Sequence, residues 1–159
     1  VFVTPYSVGG VKVTSFNPTY VAPNVREIYI GKNINFFVDS NLGHINGLQA
    51  YAPNLEYISV DPENTTFVSH KGAVYNKEDN TIAVVPSGIK KLELLLIKKV
   101  EKETVRNLNG VEEIRFAEGT ETIENYAVEN CPKLKVVYVP SGATVKSSAF
   151  PSSVEIVRY

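Results

Sequence analysis

The chain has 159 residues, enough for one domain with a continuous hydrophobic core. Its formal net charge of −1 provides no strongly basic field, which argues against nucleic acid as a partner. No apolar run approaches the roughly 20 residues that a membrane-spanning helix needs, so we expect no membrane insertion in this segment. The single cysteine, Cys131, excludes an internal disulfide.

The sequence contains no methionine and starts at Val1. We therefore expect a mature or trimmed part of a larger protein, which is compatible with the removal of a signal peptide. Residues 1–24 are predicted to form an N-terminal cap or a degenerate repeat, because terminal units of repeat proteins must cover the open end of the core.

From residue 25 onward an apolar-x-x-apolar-x-apolar phrase recurs. It reads Val25/Ile28/Ile30, Leu55/Ile58/Val60, Val111/Ile114/Phe116 and Leu134/Val137/Val139. The last two positions of each phrase alternate as in a short strand. Residues 100–114 also match residues 123–137 in character, at an offset of 23 residues. A fixed period of this size predicts a solenoid of roughly six coils within one domain, residues 1–159.

Two stretches interrupt this period. Between about residues 67 and 86, two β-rich runs flank the polar tip Lys77-Glu78-Asp79-Asn80, which predicts an inserted β-hairpin. Residues 35–47 over-run the period, and we predict a loop with a short strand there. The repeats are expected to extend over residues 25–151, and residues 152–159 to form a C-terminal half-repeat.

Several phrases resemble the BspA-like leucine-rich repeats. Residues 55–64 resemble the start of a repeat, and residues 121–134 are similar to the family consensus Ile-Gly-x-x-Ala-Phe-x-x-Cys-x-x-Leu. The resemblance covers about residues 13–159, although Glu124 stands where Gly is usual and Val128 where Phe is usual. It implies a β-rich leucine-rich-repeat solenoid, an α/β-type right-handed superhelix with short parallel strands and irregular or short helical return segments.

The same resemblance implies a secreted or surface-exposed bacterial protein that acts in adhesion or in binding host proteins, and it brings no common catalytic site. We therefore expect a non-catalytic binding module without a cofactor, rather than an enzyme. A structural spacer or end-cap of a larger surface protein is the alternative, and a carbohydrate-binding or hydrolytic role is the third hypothesis. The expected partner is a host extracellular protein or a bacterial surface protein, with carbohydrate as the alternative ligand.

Binding is expected on the concave sheet, through the solvent-facing positions of each strand phrase. One predicted column of side chains is Glu27, Tyr57, Glu113, Val136 and Ile156, and its neighbour is Tyr29, Ser59, Arg115, Tyr138 and Arg158. Tyrosine and arginine are enriched at binding hot spots. The alternative interpretation is that cross-strand Tyr and Arg pairs only stabilise the sheet, by ~0.2–1 kcal/mol each.

No catalytic or metal-binding constellation is predicted. His44 and His70 are expected in different solvated loops, and no Cys-x-x-Cys or His-x-x-x-His spacing joins them to Cys131 in a zinc site. Cys131 is expected to pack in the core as a small apolar group. The acidic runs lack the spaced pattern of a calcium loop. Asn64-Thr65-Thr66 matches the N-glycosylation acceptor, a short motif that occurs often by chance.

Overall fold

The computed structural model describes residues 1–16, 24–37, 54–86 and 88–159. These ranges form a parallel β-solenoid of about six turns and contain no helix, which confirms the predicted fold class with return segments of the irregular kind. The strands are β1 (Phe2–Val3), β2 (Ser7–Val8), β3 (Val11–Lys12), β4 (Ser15–Phe16), β5 (Glu27–Ile30), β6 (Phe36–Phe37), β7 (Tyr57–Val60), β8 (Phe67–His70), β9 (Ala73–Asn76), β10 (Ile82–Val84), β11 (Lys91–Glu93), β12 (Lys99–Val100), β13 (Val105–Arg106), β14 (Glu113–Arg115), β15 (Thr122–Ile123), β16 (Val128–Glu129), β17 (Val136–Val139), β18 (Thr144–Val145) and β19 (Glu155–Arg158).

The C-terminal half is built from three parallel ladders. The largest is a four-stranded sheet in the order β11-β14-β17-β19, and β12-β15-β18 and β13-β16 form the other two. Leu92, Ile114 and Val137 lie side by side in the large sheet and are fully buried. Since alternate residues of a strand face opposite sides, this row of apolar side chains directs one face of the sheet to the core and leaves the other to solvent.

The N-terminal half repeats this arrangement with fewer strands. Its sheet has the order β1-β5-β7, and all of its pairs are parallel. Ile28 lies between Phe2 and Ile58 and is buried. The strands β2 and β3 form a small antiparallel hairpin, and β4 pairs with β6. Residues 38–47 of the predicted loop lie outside the described residues.

The predicted hairpin is present between β9 and β10, and the structure adds β8 as a third antiparallel strand. The turn that joins β8 to β9 contains Lys71 and Gly72, with φ angles of 49° and 89°. Positive φ at both central residues is the requirement of the tightest hairpin turns, and glycine satisfies it without steric cost. We call β8, β9 and β10 together the dividing sheet.

The dividing sheet has a hydrophobic core on each side. Ala73 and Tyr75 of β9 pack into the C-terminal core, whereas Val74, between them, packs into the N-terminal core. All three side chains are fully buried. Because successive side chains of a strand point in opposite directions, β9 contributes to both cores, and the sheet forms a wall between them.

The return segments stack through matched backbone turns. Glu103 and Tyr126, which are 23 residues apart, both have φ of 58°, and Asn107 and Asn130 have φ of 60° and 50°. The side-chain amide of Asn130 donates to Asn107 Oδ1 at 2.9 Å, so the two asparagines form a rung between adjacent coils. Left-handed backbone is tolerated better by asparagine than by most residues, which explains its recurrence at this position.

Candidate binding face

The strand register aligns most of the predicted face residues. Glu113 lies beside Val136 and Arg115 beside Tyr138 in the C-terminal sheet. In the N-terminal sheet, Glu27 lies beside Tyr57 and Tyr29 beside Ser59. These pairs point away from the buried rows, so the residues occupy two columns, while their role in binding stays a prediction.

The structure adds two residues to the columns that the sequence analysis missed. Lys91 lies beside Glu113, and Glu93 lies beside Arg115, because β11 is the first strand of the C-terminal sheet. The apolar-x-x-apolar-x-apolar phrase is absent there, and the strand is only three residues long. The alternation of Lys91, Leu92 and Glu93 was the available signal for a half-buried strand.

The predicted positions of Ile156 and Arg158 are wrong by one residue. In the observed register, Val137 pairs with Ile156 and Val139 with Arg158. Both residues therefore face the core side of β19, the edge strand of its sheet. Ile156 is 46% exposed there, because no further described strand covers it. The Arg158 guanidinium donates to the carbonyl oxygens of Pro140 and Ala143, at 3.1 and 2.6 Å.

Arg115 is held between two aromatic rings on the solvent side of the C-terminal sheet. Its guanidinium carbon lies 3.9 Å from the centre of the Tyr159 ring and 5.4 Å from that of Tyr138. The Tyr159 hydroxyl donates to the Phe116 carbonyl oxygen, which anchors the ring. Burial raises the pKa of Tyr159, against the lowering influence of Arg115. Attraction between a cation and an aromatic ring stabilises this position of the guanidinium beside the two tyrosines.

The acidic side chains around Arg115 have basic residues beside them. Lys91 Nζ lies 3.0 Å from Glu113 Oε2, and this ion pair raises the pKa of Lys91. His70 Nε2 lies 3.7 Å from Glu93 Oε2. The prediction that His70 lies in a solvated loop is wrong, since it ends β8 and is half-buried against the ring of Tyr75.

Two adjoining pockets meet at Arg115 and Glu93. One, of about 390 Å³, is lined by Lys91, Leu92, Glu93, Glu113, Arg115 and Tyr138. The other, of about 470 Å³, lies between Tyr159, His70 and the apolar run Leu94-Leu95-Leu96. Volumes of this size admit a side chain or a small ligand. Arg115 thus stands at the junction of two surface depressions.

At the N-terminal end of the face, Tyr29 is engaged within the protein. Its hydroxyl is hydrogen bonded to the Asp61 carboxylate, which is the main cause of the raised pKa of Tyr29. Tyr6 also donates to Asp61 Oδ2, at 2.9 Å. The pKa of Asp61 is lowered, first by the Glu63 backbone N–H, 2.8 Å from Oδ1, and then by Tyr29. The Tyr29 hydroxyl therefore has a structural partner.

Tyr57 presents a more open aromatic surface. It is 46% exposed, and its ring lies over Gly72 in the turn between β8 and β9. A Cβ atom at Gly72 would lie 2.9 Å from Tyr57 Cδ2, closer than real Cβ contacts. The glycine is therefore required both for the turn and for the position of this ring.

The structure also locates the other candidate chemical groups. Across the described ranges, no group of three or more His, Cys, Asp or Glu side chains could hold a metal ion. Cys131 is buried, and burial raises the pKa of its thiol. Asn64 is 1% exposed, with its side-chain amide hydrogen bonded to four backbone groups, so the folded chain does not present it to a glycosyltransferase. His44 lies outside the described residues. Among the described residues there is no helix that could span a membrane.

The ladders and stacked turns define a parallel β-solenoid. No protein-family model matches the chain, and no curated protein matches it. Among solved structures, it is similar to a leucine-rich repeat protein from Eubacterium ventriosum, with 16% identity, a TM-score of 0.46 and coverage of 99% of this chain and 54% of that one. It is also similar to a leucine-rich cell surface protein from Faecalibacterium prausnitzii, with 13% identity, a TM-score of 0.44 and coverage of 92% and 51%.

A further similar structure is the pneumococcal vaccine antigen PcpA, with 12% identity, a TM-score of 0.39 and coverage of 95% of this chain and 55% of that one. The chain thus spans about half the length of the solved structures that it matches.

Proposed function

We propose that this chain is a non-catalytic binding module that contacts another protein through the strand face around Arg115. The observation that carries the proposal is the Arg115 guanidinium, exposed on the sheet and fixed by the rings of Tyr138 and Tyr159. Arginine and tyrosine dominate the energetic centres of protein interfaces. A side chain that is already ordered loses less conformational entropy on binding, so this arrangement favours recognition.

The proposed contact surface extends beyond this centre along both columns. Glu113 and Val136 lie beside the centre, and Glu27, Tyr57 and Ser59 continue the face in the N-terminal half. The Tyr29 ring belongs to this surface, although its hydroxyl is engaged with Asp61. Arg158 is not included, because it faces the core side of β19.

The proposed setting is adhesion outside the cell, as a secreted or cell-surface module of a bacterial protein. Its support is the resemblance of the repeat phrases to the BspA-like family. The proposed partner is accordingly a host extracellular protein or a bacterial surface protein.

A second candidate function is carbohydrate binding at a separate cleft on the return segments. Tyr126 is 51% exposed and lines a cleft of about 430 Å³ with Asn130, Ser147, Ser148 and Ser152, among others. An aromatic ring offers an apolar surface to the C–H face of a sugar, while hydroxyl and amide groups can bond its hydroxyls. This combination favours a saccharide as the alternative ligand.

One pair of variants separates the two candidates. The double substitution Arg115→Ala/Tyr138→Ala removes the centre of the strand face. The matched variant Tyr126→Ala/Lys146→Ala removes the cleft tyrosine and the exposed lysine that directly precedes Ser147 of the cleft. Wild type and both variants are applied to an array of extracellular proteins and to a glycan array, with folding checked by circular dichroism.

Protein binding that disappears only in the Arg115/Tyr138 variant supports the proposed function. Glycan binding that disappears only in the Tyr126/Lys146 variant supports the second candidate instead. A folded wild-type protein that binds nothing on either array overturns both, and supports the role of a structural spacer.

A further inference from the structure

The Arg115 guanidinium has an unfilled hydrogen-bonding edge. A guanidinium carries five N–H donors in one plane. The rings of Tyr159 and Tyr138 contact this group, yet no oxygen among the described residues accepts a hydrogen bond from it. Stacking on a ring uses the face of the guanidinium and leaves its N–H edge available.

The lack of an oxygen acceptor for its guanidinium distinguishes Arg115 from the other three arginines of the chain. Arg26 Nη1 lies 2.9 Å from Glu56 Oε1, and Arg106 Nη1 lies 2.7 Å from Glu103 Oε2. Arg158 donates to two carbonyl oxygens. Each of these guanidinium groups has an oxygen acceptor within the protein, so the absence of one at Arg115 is a property of this site.

The two carboxylates that line the smaller pocket beside Arg115 do not accept hydrogen bonds from its N–H edge. Glu113 is paired with Lys91 at 3.0 Å, and Glu93 has His70 at 3.7 Å. Neither forms an ion pair with Arg115, although both line the pocket of about 390 Å³ beside it. Tyr138 lines the same pocket, and its hydroxyl has no hydrogen-bond partner in the described part of the chain.

From these observations we infer that Arg115, with the Tyr138 hydroxyl, binds the carboxylate of an acidic side chain on the partner protein. The inference rests on the proposed function and specifies its ligand chemistry. A carboxylate matches the planar fork of a guanidinium through two parallel hydrogen bonds, and such charge-assisted pairs are stronger than neutral ones. The Tyr138 hydroxyl, on a residue that lines the same pocket, offers a further hydrogen-bond donor to that group.

The test uses capped hexaglutamate as the probe, with capped hexalysine and hexaserine as comparison peptides. Binding is followed by the NMR signal of the Arg115 Nε–H group in the whole chain, at low ionic strength and again at higher ionic strength. We expect hexaglutamate to shift this signal saturably, and its dissociation constant to rise with salt because the contact is exposed. Hexaserine and hexalysine should leave the signal in place.

Four variants refine the test. Arg115→Gln should abolish the binding of hexaglutamate, monitored on the Tyr138 ring signals, and Arg115→Lys should weaken it about fivefold or more, because an ammonium group lacks the planar fork. Tyr138→Phe keeps the ring and should weaken binding about two- to tenfold through the loss of one hydrogen bond. Arg26→Gln is the matched control and should bind like wild type, since Arg26 already has Glu56 as its partner.

The carboxylate inference is overturned if hexaglutamate leaves the Arg115 signal unmoved, if Arg115→Gln binds like wild type, or if hexalysine binds more tightly. Failure of the inference is distinguishable from failure of the proposed function. Protein-array binding that still depends on Arg115 and Tyr138, without binding of hexaglutamate, leaves the proposed function in place and removes the carboxylate. If the wild-type protein binds neither an arrayed protein nor hexaglutamate, both the proposed function and the carboxylate inference are overturned.

Discussion

The ring of Tyr159 lies 3.9 Å from the guanidinium carbon of Arg115, so the end of the last coil orients a side chain that projects from β14, two strands away in the sheet. The order of the Arg115 side chain therefore depends on the correct folding of the final coil. A substitution at Tyr159 should therefore change both stability and the order of Arg115.

We expect Tyr159→Leu to lower the free energy of unfolding by about 1–2 kcal/mol, since it removes an exposed cation–aromatic contact and a hydrogen bond. Tyr159→Phe keeps the ring and should lose only the bond to Phe116, about 1 kcal/mol. Urea unfolding measures both values, and relaxation of the Arg115 Nε–H group reports its order. Equal order of Arg115 in the Leu and Phe variants would contradict the orienting role of the ring.

Gly72 lies in the turn beneath the Tyr57 ring, and Gly142, in a different turn, provides the matched control. Gly72→Ala should destabilise the fold by ~1–3 kcal/mol, because φ is 89° and the new methyl group would meet the Tyr57 ring. Gly142→Ala should be neutral or stabilising by up to ~1 kcal/mol, since no atom lies within 4 Å of the new Cβ. Thermal unfolding followed by circular dichroism compares them, and similar losses in both would refute the steric argument.

Asn64 is expected to be a structural residue of the N-terminal half. Its amide group donates to Gly31 and Ile34 and accepts from the backbone N–H groups of Thr66 and Phe67. Asn64→Ala leaves these buried groups unpaired and should lower the free energy of unfolding by about 2–4 kcal/mol. The exposed neighbour provides the control, because Thr65→Ala should change stability by no more than about 0.5 kcal/mol. Urea unfolding that ranks the two variants the other way would exclude this role.

The hydrogen bonds of Asp61 predict a loss of stability in acid. The pKa of its carboxyl group is lower in the folded state than in the unfolded chain, mainly because the Glu63 N–H bonds the charged form. Its contribution to stability is therefore fully present above the unfolded value, near pH 4, and disappears as the pH falls through the lower folded value.

The matching variant is Asp61→Asn, which removes this titration. Wild type should exceed the variant in stability at neutral pH, and the difference should shrink as the pH falls below about 4. Other carboxyl groups with lowered pKa, such as those of Glu103 and Glu112, titrate in both proteins and cancel in the comparison. Urea midpoints across this pH range provide the measurement. A difference that stays constant down to the lowest pH would disprove the assignment.

The sequence predicts the solenoid well because its period is a direct physical consequence of stacking. Ile114 and Val137 are 23 residues apart and lie side by side, as the repeat requires. The last coil is shorter, and Val137 pairs with Ile156 only 19 residues further on. The core side of β19 is also only partly buried, because β19 is the edge strand of its sheet. The alternation of apolar residues therefore no longer indicates which side chains of this strand face inward. Apolar alternation therefore predicts the wrong column for Arg158.

The centre of the candidate site was only partly predictable. The column position of Arg115 and Tyr138 follows from strand alternation. The contact of Arg115 with Tyr159 depends on how the final coil folds back, and no local pattern encodes it. The burial of β9 on both faces was likewise not predictable. The run Ala73-Val74-Tyr75 indicates an apolar strand, but it does not indicate that a hydrophobic core lies on each side.

The dividing sheet has a practical consequence for engineering this chain. Replacing its three strands with a short linker would strip a shared layer from two compartments and expose apolar surface in both. The two halves are accordingly expected to melt in one transition, although repeat proteins often lose their coils in succession. A peptide tag or a fluorophore belongs instead at Glu78, on the exposed tip, where the added group would disturb neither compartment.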